Sequence, residues 1–292
     1  MTTALARPAA SRWQASLDLK FARTTRGCRL VASAHNGPLY VQKPFYPEGP
    51  DLAHVYLLHP PGGLVSGDSL EISVALGKDA SVLVTTPGAG RVYRAREDRT
   101  LQWQRTRMVL SQGANIEYFP QETIIYPGAS AGLETRVELS DRCHYAGWEI
   151  TCLGLPASEL EFDSGEFRQH LGVFRDGRPL IVENFVLNEG SRSLYDASVG
   201  LRGQPVMGLM VAGPFAESRS GETAEIVTSL RAVTASCKPG MLCNVSVFNG
   251  FVTVRYLGSS SAEAREIFIQ CWQLLRPLLL GREHCPPRIW AT

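Results

Sequence analysis

The chain has 292 residues, 44% hydrophobic and 20% charged, the profile of a folded protein rather than a disordered or fibrous one. Lys and Arg total 29 against 28 Asp and Glu, and a formal net charge of +1 argues against a dedicated nucleic-acid binder. The longest apolar stretches are short pieces such as Leu278 to Leu280, far below the ~20 residues of a bilayer-spanning helix, so no membrane crossing is expected.

From the N-terminus, the first fifteen residues lack the apolar core of a secretory signal, and a cytoplasmic location is expected. Period-2 alternation then dominates. Leu17, Leu19 and Phe21 alternate with Asp18, Lys20 and Ala22, which predicts a half-buried strand. Leu70, Ile72 and Val74 repeat the pattern, as do Val82 with Val84, Leu101 with Trp103, and Val137 with Leu139. Asn36-Gly37-Pro38, Pro61-Gly62-Gly63, Pro87-Gly88, Pro127-Gly128 and Asp176-Gly177 punctuate these runs as turns. Gly88-Ala89-Gly90-Arg91 has no helix to open and is expected to join strands rather than hold phosphate. Residues 213–222 are the clearest internal break, and a shorter helix is expected within Gly221 to Ala235. Val245, Val247, Val252 and Val254 flank Asn249-Gly250, a candidate type I′ hairpin.

A second helix is predicted near the end. Ser260 precedes Glu263 by three residues, as in a capping box. Ile267, Phe268, Cys271, Leu274, Leu275 and Leu278 follow at helical spacing, with Pro277 expected to end or kink the helix. The fold class expected is mainly β, with a small C-terminal α-containing lobe. The organisation expected is one domain over 1–292, with a β-rich body at about 13–212 and an α-containing part at about 221–292.

The chain has no phosphate loop, no zinc-protease helix, no serine nucleophile elbow and no dinucleotide fingerprint. Its seven cysteines show no regular spacing and are expected to be reduced and mostly buried. Its six histidines form no zinc spacing with them. What stands out is four carboxylates in apolar, strand-like surroundings: Asp68, Glu122, Glu149 and Glu183. Such groups cost free energy unless paired, hydrated or bound to a cation. Taken singly, each also reads as an outward position on a strand. Together they could line a polar path that holds a divalent ion weakly enough to release it.

Taken in order, several blocks carry a family resemblance. They are Trp13 to Leu19, Gly37 to Pro47, Tyr56-Leu-Leu-His-Pro-Pro-Gly-Gly63, Thr85 to Ala89 with Tyr93-Arg94, and Pro120-Gln-Glu-Thr-Ile125. Cys152-Leu-Gly154, Asp176-Gly-Arg-Pro-Leu180 and Pro287-Arg-Ile-Trp290 complete the series. On these the chain resembles the UreD (UreH) family of urease accessory proteins.

The resemblance implies a helix-like stack of β-strands and a scaffold for nickel delivery rather than an enzyme. The implied partners are UreF, the GTPase UreG through UreF, and the apo-urease subunits. It also implies an internal passage for nickel in transit, with no permanently bound cofactor. Asp68, Glu149 and Glu183 match the family's acidic positions along that passage, and Glu122 matches an acid of unassigned role. Ser69 stands where relatives can have a second acid, which puts a paired-carboxylate site there in doubt. Gly90-Arg91 replaces a small polar residue and Lys.

Trp290 and Arg288, in the terminal block, are the candidates for docking a helical partner, against the plainer reading that Trp290 packs the tail on its own core. The alternative from another class is a carbohydrate-active enzyme on a β-stack, with two carboxylates about 5–9.5 Å apart in an open cleft.

Overall fold

The computed structural model describes residues 12–216, 220–235, 237, 238 and 240–291. The reading of the extreme N-terminus as lacking a signal falls largely outside those residues, as does the centre of the 213–222 break. In chain order the strands are β1 (Gln14–Thr24), β2 (Gly27–Asn36), β3 (Tyr40–Val41), β4 (Ala53–Leu58), β5 (Ser69–Leu76) and β6 (Ser81–Thr85). Next come β7 (Gly90–Val92), β8 (Gln102–Leu110), β9 (Asn115–Phe119), β10 (Thr123–Ile125), β11 (Ser130–Leu139) and β12 (His144–Leu153). Then follow β13 (Glu166–Arg175), β14 (Arg178–Leu187), the single turn α1 (Ser193–Asp196), β15 (Val206–Gly213) and α2 (Ser220–Ala235). The hairpin β16 (Leu242–Phe248) and β17 (Phe251–Gly258) and the helix α3 (Ser261–Leu280) complete the elements.

Two sheets face one another. The first runs β14-β13-β11-β8-β5-β1-β2, and the second runs β16-β17-β15-β12-β9-β6-β4-β3, with β7 and β10 beside it. From β4 onward the chain steps between sheets, so β5, β8, β11 and β13 pair in parallel in one while β4, β6, β9 and β12 pair in parallel in the other. A parallel neighbour needs a crossover, and here the crossover is a strand of the opposite sheet. The result is mainly β, a helix-like stack with its helices towards the C-terminus.

Register builds the core as rows across the stack. Leu19, Val74, Met108, Val137 and Val173 are paired neighbours on successive strands, and all are buried. Each contributes about 1.5–3 kcal/mol of transfer free energy on burial. One predicted face is reversed. On β8 the inward residues are Gln102, Gln104, Thr106, Met108 and Leu110, so Leu101 and Trp103 do not mark the core side. Trp103 lies outside, with the Arg105 guanidinium 4.6 Å from its ring and Gly132 leaving space for it.

The second sheet is buried on both faces because α3 covers its back. Ser260 caps α3 by accepting from Glu263 N–H at 3.3 Å. The buried face of α3 is Ala264, Ile267, Phe268, Cys271, Trp272, Leu275, Arg276 and Leu279. Leu274 and Leu278, predicted to lie in that stripe, are only partly buried and line a groove with Ile226 of α2 instead. Pro277 neither ends nor replaces the last turn, since α3 continues to Leu280 and stops at Gly281, whose φ is 63°. Packing of Leu275 and Leu279 holds that turn against the ~3 kcal/mol an interior proline typically costs.

At the centre of the α3 interface is a buried ion cluster. Arg276 is 1% exposed and donates to Glu117 and Glu48, while Trp272 Nε1 donates to Glu117 Oε1 at 2.6 Å. His54 Nε2 lies 2.7 Å from Glu48 Oε1. The hairpin β16–β17 turns at Asn249 and Gly250, with φ of 50° and 76°, the positive pair a type I′ turn requires. Val245 of that hairpin is buried, but Val247, near the end of the edge strand, is 48% exposed. All seven cysteines are free thiols, none joined in a disulfide.

Candidate functional site

The apolar rows between the sheets give way to polar side chains at one level of the stack. Thr106 of β8 pairs with Thr135 of β11, and Gln104 pairs with Leu133, which pairs with Gln169 of β13. From the second sheet Tyr118 of β9 and Tyr145, Glu149 and Thr151 of β12 share the same inner side. Groups of this polarity pack imperfectly against apolar neighbours, and the space between the sheets opens into three adjoining chambers.

An outer chamber of about 250 Å³ lies beside the turns at His59–Leu64 and Thr86–Arg91. A small chamber of about 30 Å³ lies deeper, sharing Gln104, Tyr118, Pro120, Gln121 and Thr123 with the outer one. A wide chamber of about 370 Å³ lies between β13, β14, β15 and β17. It shares Glu149 and Gln169 with the small one.

The electrostatics follow from burial. Burial pushes the Glu149 carboxyl above its ordinary range, although hydrogen bonds with Thr135 and Gln169 pull the other way. Gln169 Nε2 donates to Glu149 Oε2 at 2.5 Å, and Thr151 Oγ1 donates to Gln169 Oε1 at 3.1 Å. Burial pushes Tyr118 up to about 12 and Tyr145 well above its usual value, so both phenols stay protonated at neutral pH. In the outer chamber, burial lowers the His59 imidazole while the Asp68 carboxylate opposes that fall. His59 Nε2 is buried without a hydrogen-bond partner.

The four carboxylates read from the sequence are placed very differently. Glu149 and Glu183 line the same wide chamber. At its rim Glu183 is ion-paired to Arg255. Asp68 is 5% exposed and its two oxygens accept from the backbone N–H groups of Trp13, at 3.2 Å, and Val65, at 3.0 Å. Glu122 faces α3, accepting from Ser261 at 3.3 Å and lying 3.5 Å from the Arg265 guanidinium. Neither Asp68 nor Glu122 lines any of the three chambers.

Trp290 Nε1 donates to Thr85 Oγ1 at 2.9 Å, and its ring lies 5.6 Å from that of Trp148 and 6.0 Å from that of Trp272. It is half-buried on the back of the second sheet, whereas Arg288 is exposed. Among the described residues, no group of three His, Cys, Asp or Glu side chains is arranged to hold a metal ion. No described helix is long and apolar enough to cross a membrane.

The chain matches the family model for the UreD urease accessory protein over residues 14–291. It belongs to the UreD family. The UreD protein of Marinomonas sp. (strain MWYL1) is 47% identical over 294 aligned residues, spanning 100% of this chain and 94% of that protein. Urease accessory protein UreD of Psychromonas ingrahamii is 41% identical, spanning 97% and 95%. UreD 2 of Brucella anthropi is 42% identical, spanning 96% and 98%.

In this UreD chain the family-like turn from His59 to Gly63 forms the rim of the outer chamber. Gly63 is required there, because a Cβ would stand 2.5 Å from the Tyr93 ring. Of the polar wall between the chambers, sequence reasoning found Glu149 and missed Gln169. Gln169 sits at period 2 with Phe167, Leu171 and Val173, and a polar residue in an otherwise apolar alternation was the available signal. Thr151, between Glu149 and Leu153 on the inner side of β12, carried the same signal.

Proposed function

We propose that this chain is a non-catalytic scaffold of urease maturation which, with UreF and through it the GTPase UreG, passes nickel to apo-urease in the cytoplasm. Nickel is cargo in this reading, not a resident cofactor. The observation that carries it is the run of three adjoining chambers from the His59 turn to the rim at Glu183. Their polar lining offers mainly oxygen donors: the Glu149 carboxyl, the amides of Gln104, Gln121 and Gln169, and the hydroxyls of Thr135 and Thr151. Nickel prefers imidazole and thiolate, so an oxygen-lined route would hold it loosely and let it go. His59 supplies an imidazole at the outer end.

The roles of the individual acids follow from their surroundings. Glu149 is the inner acid of the route and Glu183 the rim acid, released when Arg255 moves aside. Asp68 shapes the turn behind His59 by holding two backbone N–H groups. Glu122 ties the second sheet to α3. Trp290 and Arg288 belong to the UreF-facing surface, with Trp290 seating the tail so that Arg288 is presented.

The test is nickel-dependent urease activity in cells carrying a urease operon whose ureD gene is replaced by this one. Restored activity is expected. No restoration, with the protein present and still co-purifying with UreF, would defeat the nickel-transfer reading. Truncation after Glu283 addresses the docking surface: loss of UreF co-purification is expected, and unchanged binding would remove Arg288 and Trp290 from it.

A further inference from the structure

Among the described residues, Glu149 and Gln169 are the two shared by the walls of the small and wide chambers. They are also bonded to each other, at 2.5 Å from Gln169 Nε2 to Glu149 Oε2. Thr151 holds the other end of the Gln169 amide at 3.1 Å, and the Thr135 side chain hydrogen-bonds the Glu149 carboxyl. The boundary between the two spaces is therefore a septum of two side chains, braced by two hydroxyls.

Its dimensions decide what crosses it. The small chamber, at about 30 Å³, has room for one or two water centres. A divalent ion with six waters at ~2.1 Å is about 7 Å across and does not fit. Something must swing aside, and the ion must shed water as it enters. The wide chamber, at about 370 Å³, has the space to receive a displaced side chain, and the small one does not. Gln169 is the residue able to do this. It is uncharged, has three side-chain torsions, and stands on β13 beside Phe185 of β14, at the edge of the wide chamber. Glu149, paired with Leu209 of β15, is held in addition by the Thr135 side chain and is the acid a cation would meet.

We propose that Gln169 is the gate between the small and wide chambers. In the closed state its amide is bonded to Glu149 and Thr151. In the open state it swings into the wide chamber and leaves Glu149 free to meet a partly dehydrated divalent cation. This rests on the nickel-transfer reading above and adds a residue, a position and a closed state to it.

The experiment compares Gln169→Ala, Gln169→Leu and Leu209→Trp in the full chain, in cells carrying the other urease components. The initial rate of urease activation is followed against nickel chloride concentration, and co-purification of UreF and thermal unfolding are measured alongside. Gln169→Ala removes the gate and keeps Glu149. It is expected to activate at least as fast as the unaltered chain, most visibly at low nickel. Gln169→Leu leaves an apolar plug that can neither bond Glu149 nor coordinate a cation, and is expected to slow activation at least tenfold with UreF binding intact. Leu209→Trp places a bulky ring in the wide chamber directly beside Glu149, its paired neighbour, and tests the route itself.

A defective Leu209→Trp with an unaffected Gln169→Leu would overturn the gate and leave the route standing. If Gln169→Ala is as slow as Gln169→Leu, Gln169 is a required ligand or a structural post, and the gate is overturned as well. Normal activation by Leu209→Trp would defeat the route, and the gate with it. Should Gln169→Leu fail to accumulate, Gln169→Ile replaces it under the same criteria.

Discussion

Glu149 and Glu48 are both carboxylates inside the protein, yet their surroundings push them in opposite directions. Glu149 is raised chiefly by burial, so the folded state binds its proton more tightly than the unfolded chain does. The stability it contributes is present while it is protonated and is lost as pH rises through its folded value. Glu149→Gln is therefore expected to raise the unfolding temperature at pH 8 relative to the unaltered chain. That advantage should shrink at pH 4, and a melting series across this range is the check. An equal gain at both pH values would show that burial does not raise the carboxyl.

Glu48 is the converse case. Burial alone would raise it, but hydrogen bonds from His54 and Arg276 outweigh that and bring it down to about 2. A group depressed in the folded state contributes stability above its ordinary value near 4.5, and loses that contribution as pH falls towards about 2. The linked free energy is ~3 kcal/mol by the shift alone. Acid unfolding of Glu48→Gln, followed by circular dichroism, should be markedly less steep over that window.

At the scale of elements, α3 is fastened by charge as well as by apolar packing. Arg276 carries its charge into the interface because Glu117, on β9, and Glu48, ahead of β4, meet it there. Such a cluster is weak evidence of net stabilisation, but removing one member leaves buried charge uncompensated. Arg276→Ala is expected to lower the unfolding free energy by about 3–5 kcal/mol, measured by urea titration. Leu278→Ala, on the groove facing α2, should cost less, because Leu278 is only partly buried. The terminal segment depends on the same interface. Trp290 bonds Thr85, and Thr85 in turn donates to the Phe119 carbonyl at 2.5 Å. The tail is thus registered to β6 and β9 by one hydroxyl. Thr85→Val should loosen the tail, seen as faster amide exchange beyond Pro287, while leaving the sheets intact.

At the scale of the molecule, the chain's habit of stepping between sheets sets where chemistry can occur. Each visit to a sheet adds one residue to every row across the stack, so Thr106 and Thr135, from separate segments, meet in one row between the apolar Ile72 and Leu171. Buried polar groups of this kind are tolerated when they bond one another or water. Tyr145 Oη has no protein partner. Tyr145→Phe is accordingly expected to be neutral or slightly stabilising in a thermal melt, since no protein hydrogen bond is lost.

The predominance of strands, the α3 cap at Ser260, the Asn249-Gly250 turn and the UreD family are properties the sequence determined by itself. Each depends on residues close in the chain, or on blocks whose order alone is diagnostic. Which face of β8 turns inward was not legible. Gln104 and Thr106 are hardly more apolar than their alternates, and Trp103 finds its cover outside, on Arg105 and over Gly132. Nor could spacing say that Glu149 and Glu183 share one chamber while Asp68 bonds backbone and Glu122 faces a helix. Those assignments rest on register between strands dozens of residues apart. Period-2 alternation defines two faces of a strand, but only the packing of the opposite sheet and of α3 decides which of them is solvated, paired or enclosed.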